Sequence, residues 1–156
     1  MDLSQALQMV SRSDAGMVRS HNEDAVFFNA AQGMAILADG MGGYNAGEVA
    51  SGMATTLLGS ELEKAFQNTG PHQVDASGKL YSHSVLEAEI ARANTAIYQA
   101  AQSQPQYAGM GTTLVAVLFY GNRMTVGHVG DSRLYRLRQG KLEQITRDHS
   151  LLQEQI

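Results

Sequence analysis

The chain has 156 residues, 44% of them hydrophobic and 17% charged, with a formal net charge of −4. That length suits one domain of roughly 100–200 residues with a sizeable core, and the apolar share excludes disorder over most of the chain. The negative balance argues against a bulk electrostatic nucleic-acid binder, and the absence of cysteine excludes disulfides, thiolate zinc sites and a cysteine nucleophile.

In chain order, the N-terminus carries Asp2 where a signal peptide carries a base. Ala6–Ser11 alternates weakly and is predicted as a strand. Strands are predicted at Asp24–Asn29 and Met34–Asp39, joined by a turn over Ala30–Gly33. A glycine-rich stretch, Gly40–Gly47, follows. Val49, Met53, Leu57, Leu58, Leu62 and Phe66 then recur at helical spacing, with Asn45 and Glu48 set as a capping box. Asn68–Lys79 reads as a loop. A second helix is predicted from Ser84, with Glu87 completing its capping box, an apolar stripe of Leu86, Ile90, Ala93 and Ile97, and Pro105 beyond its end. Thr112–Tyr120 is dense in β-branched residues. Gly121–Asn122 is a hairpin signal, followed by strands at Arg123–Val129, Arg133–Arg138 and Leu142–Ile145, with a turn at Gln139–Gly140. Asp148–Ile156 is predicted to begin a helix. The longest apolar run, Leu114–Tyr120, is far below the roughly 18 residues of a membrane span, so the chain is expected to be cytoplasmic, without membrane or nucleic-acid partners. Strands, two helices and more strands predict an α+β domain with helices packed on antiparallel sheets.

Acids and glycines gather at predicted strand ends: Arg19, Asn22, Glu23 and Asp24; Asp39-Gly40-Met41-Gly42-Gly43; Gly130-Asp131-Ser132-Arg133; and Thr146, Asp148, His149 and Ser150. Each has a bland reading as a turn, a solvated loop or a cap. Asp39, however, ends a buried apolar strand and needs a partner, and Asp131 follows a second apolar strand. Carboxylates delivered to strand ends beside glycines suit hard cations such as Mg²⁺ or Mn²⁺. Other chemistries fail on spacing. The dinucleotide fingerprint from Gly40 and Gly42 ends in Asn45, and the P-loop spacing from Gly42 to Gly47 continues into Glu48 and Val49. Gly130-x-Ser132-x-Leu134 lacks the last glycine of a nucleophile elbow. His72 and His83 lie in or beside a loop and read as surface residues.

These motifs in this order resemble the metal-dependent serine/threonine protein phosphatases of type 2C (the PPM family), particularly the bacterial branch, from about Ser13 to the last residue. Gly111-Thr112-Thr113 resembles the start of that family's central strand. The resemblance implies a β-sandwich flanked by helices with a two-metal centre at one end, holding Mn²⁺ or Mg²⁺. It implies that Asp39 bridges the metals, that the Gly40 carbonyl ligates one, and that Glu23 or Asp24 holds a metal or its water. It further implies that Asp131 serves a third, weaker metal and that Arg19 grips the phosphate. Arginine's planar fork suits phosphate oxygens, and paired metals activate water without a protein nucleophile. Met41 stands where some members carry a proton-donating histidine; His149 is expected to pack or cap rather than replace it.

The family pattern also has two further metal-binding aspartates, which this sequence does not match. The chain is therefore expected to be the N-terminal part of one phosphatase domain, with an incomplete metal site and open sheet edges prone to self-association. The leading expectation is hydrolysis of phosphoserine or phosphothreonine in proteins, a serine/threonine kinase or its substrates among the targets. The competing expectations are a non-catalytic module that binds phosphoprotein or another partner, and a metal-stabilised structural domain.

Overall fold

The computed structural model describes residues 2–43 and 45–149. Five strands form one antiparallel sheet: β1 (Asp24–Asn29), β2 (Met34–Met41), β3 (Gly111–Thr112), β4 (Leu114–Tyr120) and β5 (Arg123–Val129), in the order β1-β2-β4-β5 with β3 on the end of β2. Two long helices, α1 (Ala46–Asn68) and α2 (Tyr81–Ser103), pack on one face, and a short 3₁₀ turn at Pro105–Tyr107 leads back to the sheet. A separate ribbon pairs β6 (Tyr135–Arg138) with β7 (Lys141–Gln144). This is the α+β, antiparallel architecture that the sequence predicts. No described helix is long and apolar enough to cross a membrane.

Period-two alternation sends Met34, Ile36 and Ala38 of β2, with Leu114, Ala116, Leu118 and Tyr120 of β4, toward the helices, where all are buried. Helix α1 answers with Ala46, Ala50, Ala54, Leu58 and Leu62. The predicted stripe is displaced at its start: Val49 and Met53 are only partly buried and Leu57 is exposed, because small alanines let the helix lie close on the sheet. Helix α2 buries Leu86, Ala93 and Ile97 as predicted. Its first turn is fixed by Ser82, whose hydroxyl bonds the Tyr120 and Thr125 hydroxyls at 3.2 and 3.1 Å in the core.

Several predicted details are corrected. Ala6–Ser11 is not a strand. Ala6 and Leu7 donate their N–H groups to Leu3 O in a local turn, and the chain beyond makes no ladder hydrogen bonds. Neither capping box forms. Asn45 has a φ of −102° and a ψ of 16° instead of the extended cap geometry and makes no side-chain cap, while Ala46 N–H reaches Gly43 O. Helix α2 starts at Tyr81, so Ser84 lies inside it and Glu87 pairs with Lys79 at 2.5 Å. The strand predicted at Thr112–Tyr120 breaks at Thr113, whose N–H turns to Asp39 O. Asp148 and His149 are not helical, and the rest of the predicted final helix lies outside the described residues. The Gln139–Gly140 turn is present with positive φ at both positions, 51° and 76°, as a two-residue hairpin requires.

The sheet face away from the helices carries exposed Val26, Phe28 and Leu37. The chain around Val10–Arg12 and Arg133–Leu134 borders the groove over its middle.

One contact ties sheet to helix near the glycine-rich stretch. A Cβ built on Gly40 would stand 1.9 Å from Gly47 O and 2.9 Å from Glu23 O. Gly40→Ala is expected to destabilise the fold by about 3 kcal/mol through overpacking against backbone that cannot move aside. Gly52→Ala, in the interior of α1 with no atom within 4 Å of the new Cβ, should stabilise it by about 0.5–1 kcal/mol. Urea unfolding midpoints measured on both variants check this pair.

Candidate active-site cleft

The register places Asp24 directly opposite Asp39 where β1 and β2 meet. Odd positions of β2 and even positions of β1 point away from the helices, so both carboxylates stand on the outer face at the sheet's end. Asp39 is held at its backbone from both sides. Its N–H donates to Thr113 Oγ1 at 3.1 Å, and its carbonyl accepts from Thr113 N–H at 2.9 Å and from the Thr112 hydroxyl at 3.1 Å. Gly40 N–H donates to Glu23 O at 3.0 Å, and Ser51 Oγ donates to the same carbonyl at 2.6 Å. The segment before β1 is thereby clamped to the end of β2 and the first turns of α1.

Asp39's carboxyl pKa is raised. Burial is the main cause, followed by the Asp24 charge, a hydrogen bond with Asp24 and the more distant Asp131, while Arg19 opposes the shift. Like charges gathered this way disfavour full ionisation unless a cation joins them. Arg19 bonds Glu23 at 3.0 Å, and Glu23 is mostly buried against Gly47 while Arg19 stays exposed. Asp24 N–H is capped by Asn22 Oδ1 at 2.9 Å, and Asn22 in turn donates to the Ser13 hydroxyl.

Asp131 reaches the cleft from the turn after β5. Gly130 has a φ of 96°, and Ser132 Oγ bonds Thr113 Oγ1 at 2.6 Å. Arg133 then grips Asp148 with two nitrogens, at 2.9 and 2.6 Å. That pairing holds the Asp148 carboxyl below, and the Arg133 guanidinium above, their ordinary pKa ranges. His149 N–H donates to Gly130 O at 3.0 Å, and its Nδ1 accepts from Gly130 N–H at 3.3 Å. Its ring stacks on His128 at 4.5 Å. Burial, with a smaller contribution from His149, lowers the His128 pKa.

Two adjoining hollows share Arg19, Glu23 and Asp39. Asp24 lines one; Gly40, Met41, Asp131 and His149 line the other. All the residues singled out in the sequence as phosphate or metal contacts therefore line one site. His149 packs, as expected, but also lines the cleft. Thr112, Ser132, Arg133 and His128 were not singled out for a role. Gly111-Thr112-Thr113 and Gly130-Asp131-Ser132-Arg133 were the visible signals, and only the strand register reveals that the threonines hold Asp39.

The donor set is oxygen throughout: the Asp24–Asp39 pair, the Gly40 carbonyl and Asp131. That chemistry fits a hard cation that keeps several waters. Among the described residues, no three His, Cys, Asp or Glu side chains converge closely enough to form a metal cage.

Comparison with known proteins gives concordant results. The family model described as protein phosphatase 2C matches residues 17–154. The serine/threonine protein phosphatase PstP of Mycobacterium tuberculosis is 42% identical over 147 residues, covering 94% of this chain and 26% of that protein. The serine/threonine phosphatase stp of Listeria welshimeri is 40% identical over 146 residues, covering 92% of this chain and 55% of that protein. The M. tuberculosis PstP/Ppp crystal structure superimposes with a TM-score of 0.75 at 40% identity, covering 92% of this chain and 55% of that one. A structure of the PstP catalytic domain in complex with two manganese ions gives 0.73 at 41% identity, covering 92% and 56%. The chain thus spans about half of those solved chains and about a quarter of full-length PstP.

A raised carboxyl pKa in the folded state penalises the ionised form above that pKa, and the penalty fades as pH falls toward the unfolded value of 3.8. In metal-free protein, Asp39→Asn is therefore expected to raise the melting temperature at pH 7. The gap between variant and wild type should close on acidification toward pH 4. Thermal melts in a chelating buffer across that range read it out; an Asn variant less stable at pH 7 would contradict the assignment.

Proposed function

The chain belongs to the protein phosphatase 2C family, and from that premise we propose that its cleft takes the phosphate of a phosphoserine or phosphothreonine side chain in a protein and serves its hydrolysis. The observation that carries this reading is Asp39, fixed through its backbone between Asp24 and Asp131 with Arg19 at the mouth of the cleft. Asp39 and the Gly40 carbonyl would hold Mn²⁺ or Mg²⁺, joined by Asp24, with Glu23 through the water shell and Asp131 at a further ion. The manganese pair reported for PstP supports this choice of ion. Bound metal supplies an activated water and neutralises developing charge on phosphate. Arg19 has one guanidinium nitrogen on Glu23, which orients the fork and leaves donors for phosphate oxygens. Thr112 and Thr113 keep Asp39 from following the substrate. Met41 is exposed on the cleft wall and has no proton to give the leaving oxygen. A serine/threonine kinase or its substrates would be natural phosphoprotein partners.

A second reading is binding of phosphoprotein without turnover. It is favoured by the lack of a three-residue metal cage among the described residues and by the expectation that two further aspartates complete the site. Phosphate release from a phosphothreonine peptide by the purified chain, with and without Mn²⁺, separates the two. Under the first reading release depends on Mn²⁺ and falls at least ~100-fold in Asp39→Asn. Arg19→Ala should weaken peptide binding by about tenfold, the scale of a lost charged hydrogen bond. Binding without release favours the second reading, and neither binding nor release overturns both.

The exposed Val26, Phe28 and Leu37 face and the edges of β1 and β5, unpaired among the described residues, also support self-association. Sedimentation velocity should show a coefficient that rises with concentration; a constant monomer value would count against it.

A further inference from the structure

Strand β4 lies between β2 and β5 in the sheet, so a residue at its N-terminal end can touch both neighbours. Thr113 is that residue. It stands in the break between β3 and β4, next to the Leu114–Val129 pair that begins the β4–β5 register. On the β2 side its hydroxyl accepts Asp39 N–H at 3.1 Å, and its own N–H donates to Asp39 O at 2.9 Å. On the β5 side the same hydroxyl bonds Ser132 Oγ at 2.6 Å. The methyl branch packs against the turn that follows β5. A Cβ built on Gly130, whose φ is 96°, would stand 2.9 Å from Thr113 Cγ2. One side chain thus joins a residue 74 positions before it to a residue 19 positions after it. Thr112 differs: its hydroxyl donates to Asp39 O and Thr113 O, on the β2 side alone.

We propose that Thr113 is a positioning residue that couples Asp39 to the Asp131 turn and so fixes the spacing between the two acids. What that spacing serves rests on the phosphatase reading: Asp39 belongs to the main metal pair there and Asp131 to a further ion. The two carboxylates are near enough to repel. A turn free to move would swing Asp131 away, and charge at one acid would then be felt less at the other. The Thr113–Ser132 link opposes that motion through neutral hydroxyls, whose bond does not depend on metal loading. A hydroxyl that accepts from Asp39 N–H keeps its own hydrogen for Ser132 Oγ, and bonds in such a chain strengthen one another. Threonine suits the position on both branches. Valine keeps the methyl against Gly130 but takes this partner from Asp39 N–H and from Ser132 Oγ. Serine keeps the hydroxyl and removes the methyl.

The test is amide hydrogen exchange, read residue by residue by NMR on the full chain in a chelating buffer, so it needs neither metal nor turnover. Ser132→Ala removes a hydroxyl whose bond is to Thr113 and not to Asp39. It should nonetheless speed exchange at Asp39 N–H about fivefold, and Thr113→Val about tenfold. Adding Ser132→Ala to Thr113→Val should change the rate no further, as for residues acting through one network. Thr113→Ser should keep Asp39 N–H near the wild-type rate while shifting the Gly130 and Asp131 amide resonances. Thr112→Val should leave those two resonances in place. Exchange at Leu118 N–H, in the buried part of β4, should stay unchanged throughout, and matching melting curves confirm folding. If Thr113→Val does not fold, Ser132→Ala and Thr113→Ser carry the comparison. A wild-type rate at Asp39 in Ser132→Ala would mean that Thr113 holds Asp39 alone, and overturns the proposal. An equal rise at Leu118 marks general loosening and overturns it too. Phosphate release from the peptide is a separate readout: its absence in the wild type counts against the phosphatase reading and leaves the coupling of the two acids standing.

Discussion

The backbone of β2 meets the first turn of α1 at Gly40 and Gly47, with no room for a side chain between them. The carbonyl of Glu23 enters the same point and accepts both Gly40 N–H and the Ser51 hydroxyl. Three parts of the chain therefore cross where two glycines permit it. Asp39 is the residue immediately before this crossing, and Glu23 and Asp24 are the residues that enter it. A carboxylate pair placed on a loop would relax away from its own repulsion. Placed here, it is fixed by backbone hydrogen bonds to neutral groups, and the repulsion remains available to a cation or to the charge of a substrate complex.

The far wall of the cleft is organised by a different kind of interaction. Arg133 and Asp148 close a two-point ion pair between the segment leaving β5 and the segment leaving β7. His149 then returns to Gly130 through two hydrogen bonds and stacks on His128. The loop that presents Asp131 is thus tethered to the segment that follows the β6–β7 ribbon.

Legibility in the sequence followed the source of each element's stability. Asp24–Asn29 and Arg123–Val129 were read with the bounds the structure shows, because alternation and the flanking turn residues both act locally. Ala6–Ser11 also alternates weakly, but a strand needs a partner for its backbone and none is present among the described residues. The helix starts misled for a related reason. Asn45–Glu48 and Ser84–Glu87 have capping spacing, yet α1 begins where the crossing with β2 puts it. Helix α2 begins where buried Ser82 meets Tyr120 and Thr125. The alanine line of α1 was overlooked because alanine gives little hydropathy signal while allowing the closest packing.

By itself the sequence determined the fold class, the helical and strand composition, and the acids, glycines and arginine that belong to the phosphatase pattern, since these depend on residue type and short-range spacing. Tertiary structure alone decided that Asp24 stands across from Asp39, that Thr112 and Thr113 hold Asp39's backbone from 73 and 74 residues away, and that Arg133 clamps Asp148. Those facts depend on strand register and on contacts between distant segments, and a shift of one residue in the register of β1 on β2 would send their side chains to opposite faces and separate Asp24 from Asp39.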